Sequence, residues 1–176
     1  MKFLALTVAL LVALGGWWFF AGSPEAPVQE VRGNTYSSHD YGITFSYPDG
    51  YTLVENDEGG AHVVTLIHES NLPLPEAGEG PTAITVQIMP NPKAQTTDEW
   101  IRSSPLSNFR LSGGTPVEVM VGTDSALAFA WDGLYTGTTI AQARGDKVYA
   151  FSVTYLTPED PIRTHFAQVV ASATFQ

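Results

Sequence analysis

Residues 39–51, HDYGITFSYPDGY, set large apolar side chains at Tyr41, Ile43, Phe45 and Tyr47 among small or polar ones and break off at Pro48-Asp49-Gly50. Alternation with a period of two marks a strand with one buried face, and Pro-Asp-Gly is turn chemistry. The stretch therefore opens a β-containing domain. The residues on either side of it tell what precedes that domain and what it becomes.

Upstream, Met1-Lys2 leads into nineteen uncharged, mostly apolar residues, Phe3 to Ala21. As a helix rising about 1.5 Å per residue they would cover roughly 28 Å, the thickness of a bilayer's hydrocarbon. A cleaved signal has a shorter apolar region and a small-x-small site, and Ala21-Gly22-Ser23 fits that poorly because Pro24 follows. Residues 1–21 are thus expected to be an uncleaved membrane anchor, the alternative being a signal peptide whose removal leaves a secreted or periplasmic protein. Lys2 before the run and Glu25 and Glu30 after it place the N-terminus inside and the domain outside the cytoplasm. Residues 22–35, rich in Gly, Pro and Ser, read as a flexible tether, and 36–176 as one globular domain.

Downstream, Tyr51 to Glu55 is expected to form a second short strand that continues a meander from the first, with Asp57-Glu58-Gly59-Gly60 as the next turn. Ala61 to Glu69 and Thr82 to Met89 are β-branched runs separated by a Pro- and Gly-rich loop. Thr96 and the acids Asp98 and Glu99 suit the start of a short helix that Pro105 terminates. Four β segments follow, near 115–121, 125–132, 134–143 and 147–156, with Asp132-Gly133 and Gly145-Asp146 as hairpin signals. Thr157-Pro158-Glu159-Asp160 is expected to cap a second helix whose apolar face is Ile162, Phe166, Val169 and Val170. That helix would cover the aromatic face of Tyr149, Phe151, Val153 and Tyr155. The fold class is α+β, with a largely antiparallel central sheet flanked by helices.

HDYGITFSYPDGY after Tyr36, TTDEWI at 96–101, GDKVYAFSVTY at 145–155 and the closing ASATFQ together resemble the PsbP/Mog1-like family. The resemblance spans residues 36–176 and implies an α/β/α sandwich used for docking to protein assemblies. With its N-terminal run, the chain resembles tethered bacterial PsbP-like proteins of unknown function.

Composition limits the partners. Eight basic against 18 acidic residues give a net charge of −10, which repels nucleic acid and anionic lipid headgroups. The chain has no cysteine, so thiol catalysis, disulfides and thiolate metal sites are excluded.

Catalytic and metal motifs are missing. His68-Glu69 begins like a zinc-protease H-E-x-x-H but lacks the second histidine. His62 and His68 lie six residues apart on one strand, about 20 Å, too far for a shared ion. His39-Asp40 and a His165/Asp160 pair bring no nucleophile, and read as surface or capping groups. Asn56-Asp57-Glu58-Gly59 lacks the ligand order of a calcium loop and reads as an acidic hairpin turn, while Trp100 and Trp131 read as core. The expectation is a non-catalytic domain, with no cofactor or metal, docking to an envelope protein. An envelope hydrolase is the alternative.

Overall fold

The structure, a computed structural model, describes residues 33–75 and 79–176. The expected anchor at 1–21 and the tether as far as residue 32 lie outside the described residues. Among those described, no helix is long and apolar enough to cross a membrane.

Two antiparallel sheets form the domain. The larger uses β3 (Tyr51–Glu58), β4 (Ala61–His68), β5 (Ile84–Pro90), β6 (Val117–Val121), β7 (Asp124–Asp132), β8 (Thr136–Arg144) and β9 (Lys147–Tyr155). Their order is β3-β4-β5-β9-β8-β7-β6. The smaller sheet pairs β2 (Ile43–Pro48) with β1 (Gly33–Ser38) on one side and β10 (Thr174–Phe175) on the other. A short helix α1 (Thr97–Ser103) and a longer one, α2 (Ile162–Ser172), complete it.

Each face of the large sheet carries its own core because side chains alternate along the strands. On one face Val86, Phe151, Val153 and Tyr149 meet Ile162, Phe166, Val169 and Val170 of α2, together with Ile43 and Phe45 of the small sheet. On the other, Val148, Ala150, Phe129 and Ala141 meet Trp100 and Ile101 of α1. The expected aromatic face of β9 under the closing helix is present. Phe45 is fully buried, and removing such a ring from water stabilises by about 1.5–3 kcal/mol.

Local chemistry accounts for the element ends. The Thr96 hydroxyl accepts from Glu99 N, and the Glu99 carboxylate accepts from Thr96 N at 2.8 Å, a capping box that fixes the start of α1. Gly122 has φ +55°, and a Cβ there would stand 2.1 Å from the Ala173 carbonyl oxygen, so only glycine lets this turn approach the end of α2.

Four expectations need correction. The opening strand does not run on into a meander: β2 bonds to β1 and β10, and the Pro48-Asp49-Gly50 turn carries the chain from the small sheet into the large one. β1 begins at Gly33, inside the stretch read as tether, and its polar sequence GNTYSS hides a strand with a single buried residue, Tyr36. Asp57 and Glu58 belong to β3, and the turn itself is Gly59-Gly60, whose positive φ angles suit glycine. Finally, α2 starts at Ile162 and not near Thr157; its N-cap position is Pro161, and the Asp160 carboxylate just before it accepts from the N–H groups of Ile162 and Leu156.

Candidate functional site

The four histidines separate into distinct settings. His39 and Asp40 are exposed residues of the β1–β2 turn, where the His39 carbonyl accepts from Gly42 N. His68 Nδ1 lies 2.7 Å from Ser70 Oγ and also accepts from Ser70 N, a local cap on the 3₁₀ turn 69–71. His165 is held by the Tyr51 hydroxyl, 2.8 Å from its Nδ1, and not by Asp160. Burial pushes the Tyr51 phenol up to about 12, with the Asp160 charge adding to it. The His165 pKa is lowered, first by burial and then by His68, against the opposing pull of Asp160.

His62 sits in a cluster of polar side chains. Its Nδ1 is 3.0 Å from Asp57 Oδ1, and its Nε2 is 3.2 Å from both Glu55 Oε2 and the Tyr36 hydroxyl. The ring stacks on Tyr41 at 3.9 Å between centroids. A neutral imidazole that donates from Nδ1 to Asp57 accepts from Tyr36 at Nε2; a doubly protonated one donates to both carboxylates. An Asp–His pair of this kind could orient a general base, but the group at Nε2 is a phenol. Burial, then the Glu55 charge, push it up to about 12, the reverse of an activated nucleophile. No group of three or more metal-ligating side chains is arranged around a common point among the described residues.

Beside this cluster lies a cavity of about 360 Å³, lined by Tyr41, Asp57, His62, Met89, Asp146 and Lys147 among others. It sits where β4 begins, β5 ends and β9 begins. Sequence reading missed it because its residues come from four separate segments, none of which carries a motif.

The opposite end of the sheet carries exposed leucines among exposed acidic residues such as Glu69, Asp132 and Glu159. The pairs Tyr51↔His68, Ile84↔Val153, Thr136↔Tyr155 and Asp132↔Thr136 bring the start of β3, β5 and β8 and the end of β4, β7 and β9 to one end. The connections there carry exposed Leu72, Leu74, Leu134 and Leu156, and the Tyr135 hydroxyl donates to the Gly80 carbonyl, tying two of them together. Leu134 and Leu156 are 66% and 72% exposed, just past the last β8–β9 pair. Leu111 and Trp131 meet over Gly133 next to them. Trp100 is core, as expected, whereas Trp131 is only half-buried, its indole N–H donating to Thr139 Oγ1 at 2.9 Å.

Compared with solved structures, the chain has the PsbP-like fold. It is similar to the solution structure of the cyanobacterial PsbP (CyanoP) from Synechocystis sp. PCC 6803 at 15% identity and a TM-score of 0.56, covering 89% of this chain and 99% of that one. A second similarity is to a crystal structure from Bacteroides thetaiotaomicron, with 11% identity, a TM-score of 0.51, and coverage of 83% of this chain and 49% of that one. No protein-family model and no curated protein matches the chain.

Proposed function

We propose that the chain is a membrane-tethered, extracytoplasmic docking domain without a catalytic centre, held by residues 1–21 and binding an envelope protein through the leucine-bearing end of its large sheet. The observation that carries this reading is the pair Leu134 and Leu156, both more than half exposed and placed in the connections that flank the last β8–β9 pair, Thr136↔Tyr155. Water-facing apolar clusters of this kind cost solubility, and covering them drives association. Leu111 and the half-buried Trp131 extend the surface, and aromatic side chains are enriched at interfaces. The PsbP-like fold supports a binding or assembly role, and the histidine settings give no support to a hydrolase.

The net charge of −10 selects a basic or neutral protein partner over lipid or nucleic acid, and binding should weaken as salt rises. The test is photo-crosslinking in native membranes from position 134 or 156, with position 93, at the other end of the sheet, as the control. A product from 134 and 156 that is absent from 93, and that is lost from 134 in Leu156→Glu and from 156 in Leu134→Glu, supports docking here. Equal products from all three positions, or none, would rule it out. A mature protein beginning near Ser23 and soluble after lysis would remove the anchor but leave the docking surface standing.

A further inference from the structure

The leucine-bearing end of the large sheet holds a joint of two histidines about one tyrosine. The Tyr51 ring, at the start of β3, meets His68 of β4 edge-on at 5.2 Å between centroids and His165 of α2 edge-on at 5.5 Å. Each imidazole is tied to a connection that carries exposed leucine. His68 Nδ1 accepts from Ser70 N at 3.3 Å and so caps the 3₁₀ turn 69–71, from which Leu72 and Leu74 follow. Asp160, whose charge acts on both His165 and Tyr51, accepts from Leu156 N and from Ile162 N at the entry to α2. Glu69 and Asp49 add negative charge on the His68 side. Glu69 follows His68 in the chain, and Asp49, which accepts from Asn34 Nδ2 at 3.4 Å, precedes Gly50, over which His68 Nε2 sits. On α2 itself, Arg163 is turned to the Tyr155 ring, 4.8 Å from its centroid.

We propose that this joint is a pH-operated release for the docking end: protonation of His68 and His165 frees the connections that carry Leu72, Leu74 and Leu156, and the partner leaves in acid. The inference rests on the docking reading for its consequence, but not for the opening itself. Each proton acts in the same direction. A proton on His68 Nδ1 turns an acceptor into a donor, and the Ser70 N–H loses its partner. A proton on His165 Nδ1 takes away the acceptor of the Tyr51 hydroxyl, which keeps its own hydrogen because burial pushes that phenol up to about 12. The new charge on His165 also attracts Asp160, in competition with the Leu156 N–H. Two imidazolium groups beside one ring then repel each other, and both oppose a basic partner. Burial, and next to it His68, lower the His165 pKa, so the joint is closed at neutral pH and opens as pH falls below the ordinary histidine range near 6.5.

The opening is read without a partner. The full-length chain in detergent micelles is taken from pH 8 to 5 while NMR follows both imidazole rings, the Leu72 and Leu156 methyls, the Met120 methyl on the edge strand β6 and the buried Val169 methyls. The two leucines are expected to shift with the midpoints of the imidazoles, while Met120 and Val169 stay in place. His68→Asn keeps an oxygen able to cap the turn 69–71, and His165→Gln keeps one able to accept from Tyr51. In the double variant the leucine shifts are expected to vanish. In His68→Asn alone the His165 midpoint is expected to rise, because the like charge is gone, and this single variant carries the test if the double one fails to fold. Leucine shifts that persist in the double variant, or that follow a midpoint in the carboxylate range near 4, would assign the acid response to the acidic side chains and overturn the joint. Val169 moving together with the leucines would mean global unfolding, and would overturn it too. The consequence is read by crosslinking from 134 and 156 at pH 7.5 and 5.5. Affinity is expected to fall by up to about tenfold per pH unit for each proton taken up, and to hold in the double variant. A yield that ignores pH would overturn the release, whereas no product at any pH would strike the docking reading alone, with the joint still decided by the methyls.

Discussion

The Tyr51 hydroxyl and His165 Nδ1, 2.8 Å apart, join the first strand of the large sheet to the closing helix across 114 positions of sequence. Burial and the nearby His68 lower the His165 pKa. A histidine whose pKa is depressed on folding binds protons more readily when unfolded, so its stabilising effect is present above the ordinary histidine range near 6.5 and is lost as pH falls through that range. Thermal denaturation between pH 7.5 and 5 should therefore give a falling midpoint. The slope should be shallower in His165→Gln, which keeps a group able to accept from Tyr51. An unchanged slope would detach this contact from the acid sensitivity.

Gly137 on β8 is a packing necessity. A Cβ there would stand 2.2 Å from the Trp131 ring, so Gly137→Ala must push the indole outward. We expect a loss of about 1–3 kcal/mol, as for other overpacked sites, and a red-shifted tryptophan emission. A blue shift would mean that the ring moves inward instead.

Phe45 is fully enclosed between the small sheet and the large one, stacked on Tyr36 at 5.0 Å between ring centroids. Phe45→Ala should cost about 3–5 kcal/mol in urea denaturation. A loss below about 1 kcal/mol would mean that the small sheet folds away from the core.

The α1 capping box gives a smaller, local effect. Thr96→Ala removes the hydroxyl that accepts from Glu99 N and should cost about 1 kcal/mol. Thr96→Ser should restore most of it, because the oxygen is kept.

A fragment from residue 32 and one from residue 36 should differ. The second lacks the pairs Gly33↔Pro48, Asn34↔Tyr47 and Thr35↔Ser46. At a few tenths of a kcal/mol per pair, the shorter fragment should be less stable by roughly 1 kcal/mol, with a single cooperative transition in both. Identical midpoints would show β1 to be dispensable.

Where the sequence carried strong periodicity, the reading and the structure agree. The alternation of Tyr149, Phe151, Val153 and Tyr155, the i, i+4, i+7 spacing of Ile162, Phe166 and Val169, and the Thr96 cap each signal one element through local side-chain chemistry. β1 escaped because it is an edge strand with one buried side chain, Tyr36, so it shows no alternation. The partner of β2 escaped for a different reason. Turn residues tell that a chain reverses but not which strand it pairs with, and here the partner on one side, β10, is only Thr174 and Phe175. The cavity was illegible because Tyr41, Asp57, His62 and Asp146 are neighbours only after β3, β4, β5 and β9 are in register.

The pairing of β10 with β2 has a consequence for the order of events in the cell. Ser46 N donates to Ser172 Oγ across 126 positions, and Gln176 N donates to the Gly42 carbonyl. A ribosome releases the chain from its N-terminal end, so Ile43 and Phe45 emerge early while α2 and β10, which complete their surroundings, emerge late. The first hairpin must therefore wait, apolar side chains uncovered, through most of translation. Holdase chaperones would meet their best target in the newly made chain at residues 43–47, and should release it only once residues 162–175 have docked.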